Sequence, residues 1–94
     1  NERGARLLAA TRRLIDGLDT LPGAELVTPS DDRRRAGIVT FRCTDRDPRR
    51  VLAALRADSV VAAPRAGGLR LSPHWYTPME QIDRALDVLE RALR

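Results

Sequence analysis

Among the groups in this chain able to do chemistry are one thiol, one imidazole and a set of guanidiniums: Cys43, His74 and the arginines, two of which, Arg65 and Arg70, flank the pair Gly67-Gly68. A single cysteine can form no internal disulfide. Cys43 falls in a run that alternates like a strand. Nothing local to that run supplies the accessible, thiolate-stabilising site that a reactive thiol needs, so it reads as an inert sheet thiol. Arg70 stands between Leu69 and Leu71, and on residue pattern alone it is a solvent-facing strand charge. Arg65 reads as a solvated loop charge, and His74 as a histidine holding a strand-to-helix turn. All 17 basic residues are Arg. Without a Lys the chain cannot form a lysine Schiff base. No catalytic residue and no metal-ligand set is assigned within it.

The composition narrows the function classes. The net charge is +4, but thirteen acids dilute the arginines and often adjoin them, as in Asp31-Asp32-Arg33-Arg34-Arg35 and Asp45-Arg46-Asp47. Phe41, Trp75 and Tyr76 are the only aromatic residues, too few for a base-stacking platform. No nucleic-acid motif is present, and the Arg33–Arg35 run reads as a solvated loop. No apolar run approaches the roughly 18 residues that a membrane span needs. The chain opens at Asn1 directly into helical sequence with none of the parts of a signal peptide. It reads as a piece of a longer, cytoplasmic protein that binds neither nucleic acid nor membrane.

These groups must be positioned by a small aliphatic core. The 94 residues suit a single domain spanning 1–94. Residues 2 to 20 predict an amphipathic helix, with Leu7, Leu8, Thr11, Leu14, Ile15 and Leu18 on one face; Leu21-Pro22-Gly23 ends it. Glu25 to Thr28 is a short strand. Gly37 to Cys43 is the clearest strand, placing Val39, Phe41 and Cys43 towards the core and Ile38, Thr40 and Arg42 on the other face. Asp47-Pro48 starts a second helix, with Asp47 as N-cap and Val51, Leu52 and Leu55 as its buried stripe; Asp58 and Ser59 mark its end. Val60 to Ala63 and Leu69 to Ser72 predict two more strands, joined by a loop in which Gly67-Gly68 permits a tight turn or a close backbone approach. Thr77-Pro78-Met79-Glu80 has the form of a capping box ahead of a helix carrying Ile82, Leu86, Leu89 and Leu93. The order α-β-β-α-β-β-α implies an α+β fold, a small and mainly antiparallel sheet with its helices packed on one face.

The stretch Arg70-Leu71-Ser72-Pro73-His74-Trp75-Tyr76-Thr77-Pro78-Met79-Glu80-Gln81-Ile82-Asp83 resembles the end of class V aminotransferase-type enzymes. In these, a strand bearing Arg-x-Ser leads through a His-aromatic-Tyr-Asn-Thr turn into a helix that opens Glu-Glu-x-Ile-Asp. Gly37 to Phe41 and Asp47-Pro48 with Val51 to Leu55 resemble the upstream strand and crossover helix of the same domain. This chain has Thr77-Pro78 in place of the frequent Asn-Thr. It also lacks the loop cysteine that cysteine desulfurases carry just upstream of the matching arginine, so the nearer resemblance is to the isopenicillin-epimerase-like and aminotransferase-like members.

The resemblance implies the C-terminal small domain of a fold type I enzyme dependent on pyridoxal 5'-phosphate. A missing large domain would hold the cofactor, and this chain alone would bind none. The parent would act on an amino acid by aminotransfer, epimerisation or lysis, typically as a homodimer. The small domain would close the active site, and Arg70 would bind the substrate carboxylate, since a guanidinium fixes a carboxylate in both position and plane. His74 and Arg65 are further substrate-binding candidates, while Trp75 and Tyr76 would pack the turn. A free-standing, non-catalytic interaction or ligand-binding module is the alternative.

Overall fold

The computed structural model describes residues 2–27, 37–65, 67–74 and 77–94. Its elements run in the expected order: α1 Glu2–Thr20, β1 Ala24–Leu26, β2 Val39–Cys43, α2 Pro48–Ala57, β3 Ala62–Arg65, β4 Gly68–Leu71 and α3 Met79–Leu93. The four strands form one antiparallel sheet in the order β1-β2-β4-β3. Helix α1 packs on β1 and β2, α2 on β3 and β4, and α3 against both other helices.

Alternation decides which face of the sheet the helices cover. Val39 and Phe41 on β2 and Leu69 and Leu71 on β4 are buried, and they meet Leu14, Ile15 and Leu18 of α1, Val51 and Leu55 of α2, and Leu89 of α3 in one cluster. Burying each large aliphatic or aromatic side chain contributes about 1.5–3 kcal/mol. Thr11 is wholly buried on α1. Its hydroxyl donates to the Leu7 carbonyl at 2.7 Å and accepts from the Gly37 amide at 2.9 Å. That satisfies a polar group the core could not otherwise hold and ties the entry of β2 to the first helix. Gly17 lets α1 and α3 meet closely, because a Cβ there would strike the Leu86 side chain.

Helix α2 begins as its sequence requires: Asp47 Oδ1 accepts from the Arg49 amide at 2.9 Å and Pro48 occupies the first turn. Its end explains a difference in β3. Ser59 takes a left-handed conformation at φ 62°, its amide bonded to the Arg56 carbonyl and that of Val60 to the Leu55 carbonyl. This is the paired closure that usually employs glycine. Val60 is thus committed to ending the helix. The strand expected over Val60 to Ala63 instead runs Ala62–Arg65, taking in Pro64. Proline is tolerated there because β3 is an edge strand. Strand β4 correspondingly starts at Gly68 and ends at Leu71, β2 starts at Val39 and β1 covers Ala24–Leu26; Thr28 lies outside the described residues.

The capping box is corrected. Helix α3 begins at Met79 with extended Pro78 as its N-cap and no side-chain cap bond. The Thr77 hydroxyl is used one step earlier, accepting from the His74 amide at 2.8 Å, while the Thr77 amide donates to the His74 carbonyl at 3.0 Å. Thr77 therefore closes the strand-to-helix turn rather than the helix. Trp75 and Tyr76, expected to pack that turn, lie outside the described residues.

Candidate functional site

The face of the sheet turned away from the helices carries the residues of interest. Arg70 sits in the central strand β4, with Thr40 of β2 directly opposite on one side and Ala63 of β3 on the other. Residues directly opposite share a face. Its chain neighbours Leu69 and Leu71 are 1% and 3% exposed, so the half-buried Arg70 projects from the outer face between two short side chains. Among the described residues no carboxylate pairs with it.

The surroundings of Arg70 are graded. At one end of the face lie Ile38 and Val61, 52% and 83% exposed. At the other end, the hairpin register sets Arg65 opposite Gly68. Arg42 of β2 also flanks Gly68: its Cγ lies 3.3 Å from where a Gly68 Cβ would stand, and such a Cβ would collide with the Phe41 carbonyl oxygen. Gly68 thus supplies the close backbone approach expected of the glycine pair, and Gly67, with φ 81°, supplies the turn. Glu25, opposite Arg42 in the β1 register, is the one acid of this face among the described residues, 4.0 Å from the Arg42 guanidinium.

The other sequence candidates separate. Arg65, expected in the loop before the glycines, instead ends strand β3, because that strand runs two residues further than its sequence suggested. It shares the outer face with Arg70, two positions along the hairpin. His74 is exposed beyond β4, and its backbone holds the turn through Thr77. Cys43 is part-buried against the core, and burial, helped by the nearby Asp47, raises its thiol pKa. That direction is opposite to the thiolate stabilisation a reactive thiol needs. Arg42 was not singled out from the sequence. The period-two pattern put it on the outer face, but only the strand register brings it beside Gly68.

Elsewhere, Asp83 of the terminal motif pairs with Arg13 of α1 at 2.8 Å, which gives it a role in joining two helices. A groove of about 980 Å³ runs beside α3, walled in part by Ser59, Val60, Ser72, His74, Glu80 and Arg84; Arg70 is not in its walls. Among the described residues no three His, Cys, Asp or Glu side chains gather as a metal site, and no helix is long and apolar enough to cross a membrane.

Residues 2–89 match the family model described as the kynureninase C-terminal domain. A comparison with curated proteins finds no match. Among solved structures, the chain resembles the cystine C-S lyase C-DES in complex with its product cysteine persulfide, with TM-score 0.80 and 21% identity over 92% of this chain and 23% of that one. It also resembles a C-DES mutant with glycine covalently linked to its PLP cofactor, with TM-score 0.82 and 24% identity over 95% of this chain and 23% of that one. A NifS-like protein aligns with TM-score 0.81 and 18% identity, over 98% of this chain and 28% of that one. The chain therefore spans about a quarter of the length of these structures. Their likeness establishes the fold, and the fold is the α+β arrangement expected from the sequence.

Proposed function

Because the chain belongs to the kynureninase C-terminal domain family, we propose that it is the small domain of a pyridoxal-phosphate-dependent enzyme acting on an amino acid, in which Arg70 binds the substrate carboxylate. Residues 1–94 form that one domain, and the parent's large domain seats against the outer face of the sheet, closing the active site over Arg70. The parent is a cytoplasmic homodimer catalysing aminotransfer, epimerisation or lysis. The residues of this chain do not suit anchoring of the cofactor, since none of its basic residues is a lysine. The cofactor's lysine, and the bond-breaking chemistry, belong to the large domain, and the chain alone is inactive.

The observation that carries this reading is the placement of Arg70. It is a guanidinium in the middle of the sheet face turned away from the helices, without an ion-pair partner among the described residues and flanked by the short side chains of Thr40 and Ala63. A rigid strand is a better platform for such a group than a loop. Two parallel charge-assisted hydrogen bonds would hold the carboxylate in a set plane and so orient the bonds at the substrate Cα. His74, beyond the end of β4, and Arg65, on the same face as Arg70, are proposed as secondary contacts. Steady-state kinetics of Arg70→Ala in the full-length enzyme, on an amino acid and on the matching amine without a carboxylate, test the assignment. A loss confined to the amino acid supports it, and equal losses on both would overturn it.

A further inference from the structure

The basic end of the outer face contains more charge than one carboxylate needs. Arg42 and Arg65 stand on either side of Gly68 on neighbouring strands, and Arg70 lies two residues along β4 from that glycine. Each of the two is a diagonal neighbour of Arg70, about 7–8 Å away at the backbone, a gap their long side chains can close. Between them Gly68 offers no side chain. Arg65 pairs with no acid among the described residues, and Arg42 has only Glu25, at 4.0 Å. Three like charges on adjacent strands repel one another unless an anion lies between them.

We propose that Arg42 and Arg65 form a second anion subsite beside Arg70, and that the substrate of the parent enzyme is an amino acid bearing a second carboxylate on its side chain. This rests on the assignment of Arg70 to the α-carboxylate. The diagonal spacing suits two carboxylates separated by a short carbon chain, one held by Arg70 and the other over Gly68. Thr40 and Ala63, beside Arg70, carry only short side chains.

The test uses the full-length enzyme with glutamate and alanine as paired substrates. It compares wild type, Arg70→Ala and the double variant Arg42→Met/Arg65→Met, in which methionine keeps an unbranched apolar stem across Gly68. The double variant should lose about tenfold or more in kcat/KM for glutamate relative to alanine, the effect of one lost charge-assisted contact. Arg70→Ala should impair both substrates. If the double variant lowers both substrates equally, or neither, the second subsite is wrong even where Arg70→Ala behaves as expected. If Arg70→Ala leaves both unchanged, the α-carboxylate reading fails instead. A direct readout is competitive inhibition of the full-length enzyme by glutarate and by acetate. Glutarate should bind at least about tenfold more tightly, and the double variant should erase that difference. Equal affinities in wild type would overturn the proposal.

Discussion

At the scale of single residues, the arginines of the outer face differ in what they can tolerate. Arg70→Lys keeps the charge but loses the planar fork, so it is not conservative at a carboxylate contact. Arg70→Ala removes the contact and should cost about 2–4 kcal/mol of transition-state binding, a loss of roughly 30- to 1000-fold in kcat/KM. Lysine should recover only part of it, and the ratio of the two variants on one amino acid measures how much of the effect is geometry rather than charge. Gly68 is the other sensitive position. A methyl group there meets the backbone carbonyl of Phe41, which cannot swing aside as a side chain can. Gly68→Ala should destabilise the domain by about 1–3 kcal/mol, the usual range for overpacking. Urea denaturation checks this, and an unchanged midpoint would mean that β2 and β4 separate at no cost.

At the scale of elements, the end of α2 leaves room for a gain. Ser59 adopts φ 62° at the position where the helix closure favours glycine, and it is exposed, so its side chain contributes no packing. Ser59→Gly should stabilise the domain by about 0.5–1 kcal/mol by removing the steric cost of the left-handed conformation. A rise in Tm of the purified variant is the expected readout. The same region shows how far the sequence could be read. Helical period and capping residues placed α1 and α2 closely, because Leu14, Leu18, Val51 and Leu55 recur at the spacing of one buried face and Asp47-Pro48 opens a helix in a recognisable way. Alternation put Arg42 and Arg70 on the face away from Phe41 and Leu69. Non-local geometry was not legible. Nothing in Val60-Val61 announces that Val60 serves the helix closure, so the strand expected from Val60 begins two residues later, at Ala62. Thr77 had the right type for a cap, but the turn folds back and brings the His74 amide to its hydroxyl first. The meeting of Arg42 and Arg65 around Gly68 depends on the order β1-β2-β4-β3, which no local pattern encodes.

At the scale of the whole molecule, the helical layer is clasped by an ion pair between the end of α2 and the middle of α3. Arg84 Nε and Nη2 donate to the two carboxylate oxygens of Asp58 at 2.6 and 2.8 Å. The hydrogen bonds from Arg84 lower the Asp58 pKa below the ordinary carboxylate value and raise that of the guanidinium. Because the folded-state pKa is depressed, the unfolded chain binds the proton more readily. The contribution to stability is therefore fully present above the unfolded aspartate value, about 3.9, and is lost as the pH falls through the folded value. Asp47 follows the same sign, its pKa lowered by hydrogen bonds from Arg49, so among the described residues two carboxylates, Asp47 and Asp58, make the fold less stable when acid protonates them. Asp58→Asn removes one of them and keeps an oxygen that can accept from Arg84. The variant should melt below wild type near pH 7, with the two Tm values converging as the pH drops below about 4. The gap should also narrow with added salt at neutral pH, since the pair lies near the surface. A Tm difference that stays constant from pH 7 to pH 2 would show that the charge of Asp58 does not join α2 to α3. The packing of α3 on Val51, Leu55 and Leu18 would then be sufficient to hold the helices over the sheet.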